Sequence, residues 1–467
     1  MLITLSIGIR LIGLGAEGFW YDEVFTSVLA DLPLPRMLAA TAGDVHPPLI
    51  YVLSWLVARF ANTEWSLRLV PAIAGALAVG ESYRLTEHAA GKKIAAAAGL
   101  LVALSPAQIH YSQEARGYTL LTLFVLLAAN SLIERRWTRF GLACALAMYT
   151  HNMAAIYMIT LAPFALIPRS TRKQAARAIA LAIACWLPWL PFLLRQLSAV
   201  DAGFWIVDQG LGGLLYAWHY AIWGYRQWEI LNAHTLALSG GLAAISLLTI
   251  KRHNLKKIGI LYALTFAPAA SLGILSAAWQ PMLLQRALVP AGAAAIPLAT
   301  AAISTLTKRQ RRIALLLILP ALAGNLSAHW LNPFTAKDAQ GVRNLDHIVE
   351  HAQPCDAVYH NEAGSYLFAL RALPDLPHYM LPAPDSLAVG LSAATSDAIG
   401  VRSASIEEVS TAGHCRIWYM ASITPVGSHY QIPARDHILA TYPIAGAWLL
   451  YDQGWGEITL YEIEADS

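Results

Sequence analysis

Long apolar runs alternate with short polar ones over about the first 330 residues, and then the alternation stops. A helix that crosses a bilayer needs about 20 largely apolar residues, within a range near 17–25. By that measure the pattern predicts about eleven crossing segments, at roughly 1–16, 66–86, 93–108, 117–133, 139–150, 152–168, 177–195, 233–250, 258–278, 286–305 and 313–330. Several are short, and 139–168 reads either as a hairpin or as one long segment. Beyond residue 331 the pattern changes to that of a small α/β unit. It predicts an amphipathic helix over 339–352, strands over 356–360 and 416–421, and a hairpin over 447–462 with a Gly-containing turn. The expected organisation is a membrane domain, 1–330, followed by a domain outside the membrane, 331–467.

The polar stretches between the apolar runs are of two kinds. Lys92-Lys93, Arg135-Arg136-Arg139, Arg169-Arg172-Lys173-Arg177, Lys251-Arg252-Lys256-Lys257 and Lys308-Arg309-Arg311-Arg312 occupy alternate loops and hold more than half of the 32 Lys and Arg residues. Cationic short loops stay cytoplasmic, so the amino terminus is expected inside and the carboxy terminus outside, in an inner (plasma) membrane. The first segment is short, carries Arg10 and has no basic run before it. No small-x-small cleavage site precedes Asp22, so a signal peptide is not expected; a late start or a shortened first helix is. The opposite, external loops are 17–65, 109–118 and 196–232. The last holds Trp205, Trp218, Tyr220, Trp223 and Trp228, a composition expected of a segment lying at headgroup level.

Composition agrees with this picture. Of 467 residues, 57% are hydrophobic and 13% charged, against about 25% charged in an ordinary soluble domain, and the mean hydropathy is +0.48. The net charge of +3 is uninformative, and basic residues spaced out between apolar runs give no support to nucleic-acid binding. Four cysteines make no disulfide scaffold. Cys144 and Cys185 lie in apolar runs; Cys355 and Cys415 lie in the polar region and would be free to pair outside a reducing compartment. No GxxxxGK or GxGxxG phosphate loop is present, which argues against nucleotide-driven chemistry.

Chemistry-bearing residues gather on the external side. They are Asp22-Glu23 in "GFWYDEVFTSVLA", His46 in "GDVHPPLIYVLSW", Tyr111, Glu114 and Arg116 in "SPAQIHYSQEARGYTLL", His151 in "YTHNM" and Arg286 in "WQPMLLQRALVP". Each has a plain alternative. The two acids read as interfacial carboxylates or as a catalytic base, and His46 as a turn histidine or as a ligand or base. Arg116 and Arg286 read as snorkelling side chains at helix ends or as phosphate holders. His151 reads best as the cap of a tight inter-helix turn, and Trp279 as part of an interface belt. Recurrence on one face shifts the balance, because ionisable groups at membrane depth are costly and tend to mark function. Group transfer from a lipid-linked phosphate donor needs such a set: arginines at headgroup level for the phosphate, and a carboxylate for the acceptor.

"RLIGLGAEGFWYDEVFT", "HPPLIYVLSWLVARFANTEWSLRLVPAIAGAL", "SPAQIHYSQEARGYTLL" and "LLQRALVPAGAAAIPL" together resemble the bacterial GT-C glycosyltransferases. The branch resembled holds the protein O-mannosyltransferases and the aminoarabinose transferases that modify lipid A (glycosyltransferase family 39-like). The resemblance covers about the first 330 residues. It implies a polytopic α-helical membrane protein of GT-C type with a small C-terminal α/β extracytoplasmic domain. The implied activity is transfer of a sugar, with inversion, from a polyprenyl-phosphate donor to a lipid, glycan or protein acceptor. Asp22 matches the family's acidic residue in the first external loop, a general base or acceptor-positioning group, and Glu23 completes the catalytic pair, more in support than in chemistry. Arg116, Arg286 and His46 fall on the donor-phosphate side, and Glu114, Tyr111 and His151 on the substrate side. His46 stands where the aminoarabinose transferases carry Lys. Those enzymes have a metal-site Glu one residue earlier, where this chain has Val45 with Asp44 displaced by one. No metal is therefore assigned and no cofactor is expected.

Two rivals come from other classes. A transporter or flippase for a lipid-linked sugar would use a similar cleft without a base, but would place polar groups near the bilayer midplane in paired, broken helices; Arg10 alone stands out as polar within a segment. A membrane-anchored binding protein would act through 331–467, which lacks a dense catalytic cluster. The transferase reading is favoured over both.

Overall fold

The apolar runs fold as helices because nothing else satisfies their backbone groups in an apolar surround. The computed structural model describes residues 1–202, 210–224, 229–251, 255–331, 345–381, 391–405, 409, 414–424, 428–453 and 456–463. Its first part comprises α1 (Leu2–Leu11), α2 (Tyr21–Asp31), α3 (Leu34–Gly43), α4 (Leu49–Ala58), α5 (Glu64–Ala90) and α6 (Lys92–Ala103). Next come α7 (Pro106–Ser112), α8 (Tyr118–Ile133), α9 (Trp137–Thr150), α10 (Ala154–Leu166), α11 (Arg172–Trp186) and α12 (Leu190–Ala202). The series ends with α13 (Gly210–Trp223), α14 (Glu229–Ser246), α15 (Leu255–Ala278), α16 (Val289–Thr305) and α17 (Lys308–Leu331).

Local chemistry sets several boundaries. Thr63 and Ser66 cap α5 reciprocally. Gly91 at φ +91° makes the turn into α6. Ser105 caps α7, with Pro106 at its first position, and Pro48 directly precedes α4. A Cβ on Gly75 would lie 2.1 Å from Ser112 Oγ, so only glycine lets α7 approach α5 this closely.

All eleven predicted segments fall on helices, but five of the described helical stretches are long and apolar enough to cross a membrane by themselves. These are Arg172–Ser198, Leu231–Thr249, Lys257–Ala278, Gln285–Thr305 and Lys308–Leu331, joined by a sixth if α6 and α7, bent by 55°, count as one span. The others fall short for physical reasons. α1, α8, α9 and α10 have 10–16 residues, and α5 carries Glu64, Arg68, Glu81, Arg84 and Glu87. The insert 17–65, expected as a long polar loop, is three helices with a buried face. In the aromatic stretch 196–232, Trp218 donates to the Thr265 carbonyl at 3.1 Å and Trp223 to Ser239 Oγ at 3.0 Å. Trp205 and Trp228 lie outside the described residues.

The carboxy-terminal part is a six-stranded sheet of β1 (Ala357–His360), β2 (His378–Met380), β3 (Arg402–Ser403), β4 (Ile417–Ile423), β5 (Ile444–Gln453) and β6 (Gly456–Ile463). The order is β3-β2-β1-β4-β6-β5. The first four strands run parallel, with Tyr359 between Tyr379 and Tyr419, and β6 and β5 add an antiparallel hairpin. Both predicted strands and the hairpin are therefore present. The expected helix over 339–352 is seen as Asp346–His351, and 339–344 lie outside the described residues. Cys355 and Cys415 are joined by a disulfide.

This unit packs directly on the 17–65 insert. One core unites Phe19, Val24, Leu29 and Leu67 with Tyr366, Leu367 and Trp418. Arg371 of the helix Ala363–Ala372 lies over the Phe19 ring and bonds Ser27 Oγ, the Asn62 carbonyl and Glu64. Thr395 reaches the Ala40 carbonyl of α3 at 3.3 Å. The insert is thus held between the helical bundle and the sheet, which fixes α2 and the acids it carries.

Candidate active site

Asp22 and Glu23 are consecutive in the first turn of α2, about 100° apart around the helix axis, so they face different neighbours. Glu23 points inward. Its Oε1 accepts from Arg68 Nε at 2.8 Å and from the Ala115 backbone N–H at 2.7 Å, and its Oε2 accepts from Arg68 Nη2 at 2.7 Å. Arg68 spends its remaining donors on the carbonyls of Leu14, Glu17 and Gly18. Both side chains are fully buried, and the set closes on itself, fastening α2, α5 and the 113–117 loop together. Arg68 escaped the sequence reading because it is a single charge near the start of an apolar run; a buried charge there needs a partner, which was the available signal.

Asp22 points the other way. Its Oδ2 accepts from Arg286 Nη1 at 2.8 Å, and Arg116 Nε lies 3.9 Å from the same oxygen. Arg116 is carried by the loop that Glu23 pins at Ala115, and Arg286 by the short 3-10 turn Gln285–Leu288 that leads into α16. Burial alone would raise the Asp22 pKa. The charges of Arg116, Arg286 and His46, with the Arg286 hydrogen bond, outweigh that effect and hold it below the ordinary carboxylate range. Arg116 also donates to Tyr51 Oη at 2.9 Å, and Arg286 lies over the rings of Trp20 and Tyr118.

His46 joins this group from the 44–48 turn. Arg116 Nη2 stands 3.0 Å from His46 Nε2, and Asp44 Oδ2 stands 2.9 Å from His46 Nδ1. A guanidinium has no acceptor, so Nε2 must be the acceptor here and Nδ1 must carry the hydrogen donated to Asp44. The turn is pinned from outside: Asn152 donates to the Val45 carbonyl at 2.9 Å.

His151, beside Asn152, accepts the Met153 N–H at Nδ1 at 3.1 Å, the turn-capping contact that its position suggested. Burial, with His46, Arg116 and Arg286 nearby, holds its pKa well below the usual imidazole range. It is therefore neutral with its hydrogen on Nε2. His46, Arg116, Tyr118 and His151 line a small cleft of about 210 Å³ together with Ile50 and Thr150.

The structure thus brings Asp22, His46, Arg116, Arg286 and His151 together. Glu114 turns away, with Oε1 2.9 Å from His110 Nε2 in the interior. Tyr111 is buried edge-on to Tyr118, one ring behind the cleft. Asp44, Tyr51 and Asn152 belong to the site but were not singled out by sequence, since their roles are set by partners far away in the chain. Arg10 is not the only polar group within the predicted segments, because Arg68, Asn325 and His329 are buried there too.

The Asp22 carboxylate faces two guanidinium groups, and Asp44 Oδ2 stands against His46 Nδ1. Among the described residues, the only cluster of three ligand-type side chains is Cys355, Asp356 and Cys415, whose sulfurs are bonded to each other.

A larger, mostly apolar cavity of about 700 Å³ opens among α6, α7 and α13–α17, lined by Pro106, Trp218, Trp223, Phe266 and Ile318 among others. It shares α7 with the element that leads to Arg116.

Residues 45–192 match the family described as dolichyl-phosphate-mannose-protein mannosyltransferase. No curated protein sequence matches the chain. Among solved structures, ArnT from Cupriavidus metallidurans bound to undecaprenyl phosphate is similar at 13% identity and a TM-score of 0.65, covering 98% of this chain and 97% of that one. The oligosaccharyltransferase AglB from Archaeoglobus fulgidus, in complex with an inhibitory peptide and a dolichol-phosphate, is similar at 13% identity and a TM-score of 0.52, covering 81% and 63%. With helices in the order expected from sequence and a carboxy-terminal sheet unit, this chain has the GT-C membrane fold.

Proposed function

We propose that the protein is a membrane glycosyltransferase that moves a sugar from a polyprenyl-phosphate donor to an acceptor on the extracytoplasmic face. The observation that carries this reading is the convergence of Arg116 and Arg286, from separate loops, on the single carboxylate of Asp22. Two fixed guanidiniums in a partly buried site suit a phosphate, which they bind through charge-assisted hydrogen bonds. On this reading Asp22 and the phosphate share these two arginines. The apolar cavity beside α7 suits a lipid chain, and the family match and the fold favour a lipid-phosphate donor.

On this reading the acceptor attacks the anomeric carbon in one displacement, with inversion. The bond from that carbon to the phosphate oxygen breaks, and Arg116 and Arg286 stabilise the charge left on the polyprenyl phosphate. Phosphate leaves without a protonating carboxylic acid, so the site needs no glycosidase-like pair. Once Arg286 turns to phosphate, Asp22 Oδ2 is free to hold the acceptor's hydroxyl or amine. Eleven crossings with the amino terminus inside would put this site on the outer side, where the Cys355–Cys415 disulfide also fits an oxidising compartment.

The test is transfer of labelled sugar from a panel of polyprenyl-phosphate hexoses and pentoses by the purified protein. Arg286→Ala is expected to weaken binding of undecaprenyl phosphate, while Asp22→Asn should retain binding and lose turnover. Wild-type turnover by Asp22→Asn would remove Asp22 from the reaction. Translocation of the donor without cleavage would favour a flippase.

A further inference from the structure

We infer that His46, held by Asp44, is the group that takes the acceptor's proton, and that Asp22 positions rather than deprotonates the acceptor. The inference rests on the transferase reading above and assigns the proton within it.

The geometry around His46 is that of an oriented base. Asp44 holds the Nδ1 hydrogen at 2.9 Å, which fixes the tautomer and leaves the Nε2 lone pair facing the cleft. Asn152 fixes the turn through Val45, and Gln196, itself buried, stands 3.3 Å from Asn152 and donates to the Thr41 carbonyl at the end of α3. His46 is 26% exposed on its side chain, so a substrate can reach it. Arg116 Nη2 lies 3.0 Å from Nε2. An incoming phosphate offers Arg116 a charged acceptor, a stronger partner than neutral imidazole. Donor binding would therefore release the Nε2 lone pair at the moment it is needed.

Asp22 has the positioning role: its Oδ2, which accepts from Arg286 Nη1 at 2.8 Å, is free for the acceptor's hydroxyl or amine once Arg286 turns to the phosphate. Charge balances with His46 as the base. The acceptor's O–H or N–H gives its proton to Nε2, while its electron pair forms the new bond to the anomeric carbon. The pair from the broken carbon–oxygen bond stays on the polyprenyl phosphate. The leaving group gains one negative charge as the imidazole gains one positive charge, so the site's net charge is unchanged. Asp44 then faces an imidazolium, and the proton can pass on to the departing phosphate.

The ionisable groups facing His46 are Asp44 on its own turn, Arg116 on the 113–117 loop, His151 on the α9–α10 turn and Asp22 on α2.

The test is turnover with whichever donor the wild type uses, alongside undecaprenyl phosphate binding as the check on folding. His46→Gln should lose about 10²–10⁴ in turnover while still binding undecaprenyl phosphate, and Asp44→Asn should lose part of it in the same assay. Free imidazole should restore part of the turnover of His46→Gly and none of that of Asp22→Asn. Wild-type turnover by His46→Gln, or a His46→Gly variant that imidazole does not rescue, would overturn the assignment. Absence of turnover in the wild type with every donor would instead count against the transferase reading itself.

Discussion

Asp22 and Glu23 are neighbours in sequence, and each has an arginine partner at under 3 Å, yet they are built for different ends. Glu23 and Arg68 are 0% and 1% exposed, and their hydrogen bonds go to each other and to the backbone. Asp22 and Arg286 are 17% and 19% exposed. A closed pair holds structure together. On the proposed reading, a partly open pair of similar length is a site in which one anion can be exchanged for another.

The comparison breaks most sharply under substitution. Removal of Arg286 or Arg116 should cost about 10²–10³ in turnover, the range for losing one preorganised donor to developing charge, with little change in melting temperature for Arg286 and a larger one for the buried Arg116. Glu23→Gln should do the reverse. It strands Arg68 in the interior and should cost about 3–5 kcal/mol of stability, read as a lower melting temperature in detergent. Because Glu23 also holds Ala115 beside Arg116, a smaller fall in turnover should accompany it. Arg68→Lys keeps the charge but not the fork of donors, so it should fall between wild type and Glu23→Gln in the same melt.

A third acid sharpens the contrast with the smallest effect. Burial pushes the Glu362 carboxyl up to about 7, only partly offset by the N–H groups of Gly364 and Ser365 that it caps. The folded state therefore binds a proton that the unfolded chain releases between its ordinary value near 4.5 and 7. Stability contributed by Glu362 is then full below that window and lost as pH rises through it. Glu362→Gln should flatten this part of the pH–stability curve relative to wild type.

Much of this was legible in the chain, and the remainder has identifiable causes. Apolar runs long enough to be helices declared themselves, and so did the strands 356–360 and 416–421. The acids of α2, "QEAR" and Arg286 were visible as a recurrence of charge on one face. What periodicity cannot carry is pairing at a distance. It gave no sign that Glu23 meets Arg68, that Glu114 turns to His110, or that Asn152 reaches back to Val45. Composition at 210–223 gave no sign that Trp218 and Trp223 hydrogen-bond to neighbouring helices. α5 reads as a span over 66–86, and it carries Arg68, Glu81 and Arg84, charges that an apolar run alone does not explain.

The most direct test of the central claim is a single-turnover assay of sugar release from a labelled polyprenyl-phosphate donor, comparing wild type with Arg116→Ala and Arg286→Ala. The account predicts cleavage by the wild type and the loss of about 10²–10³ in rate in each variant. Cleavage at the wild-type rate after both arginines are removed would contradict it.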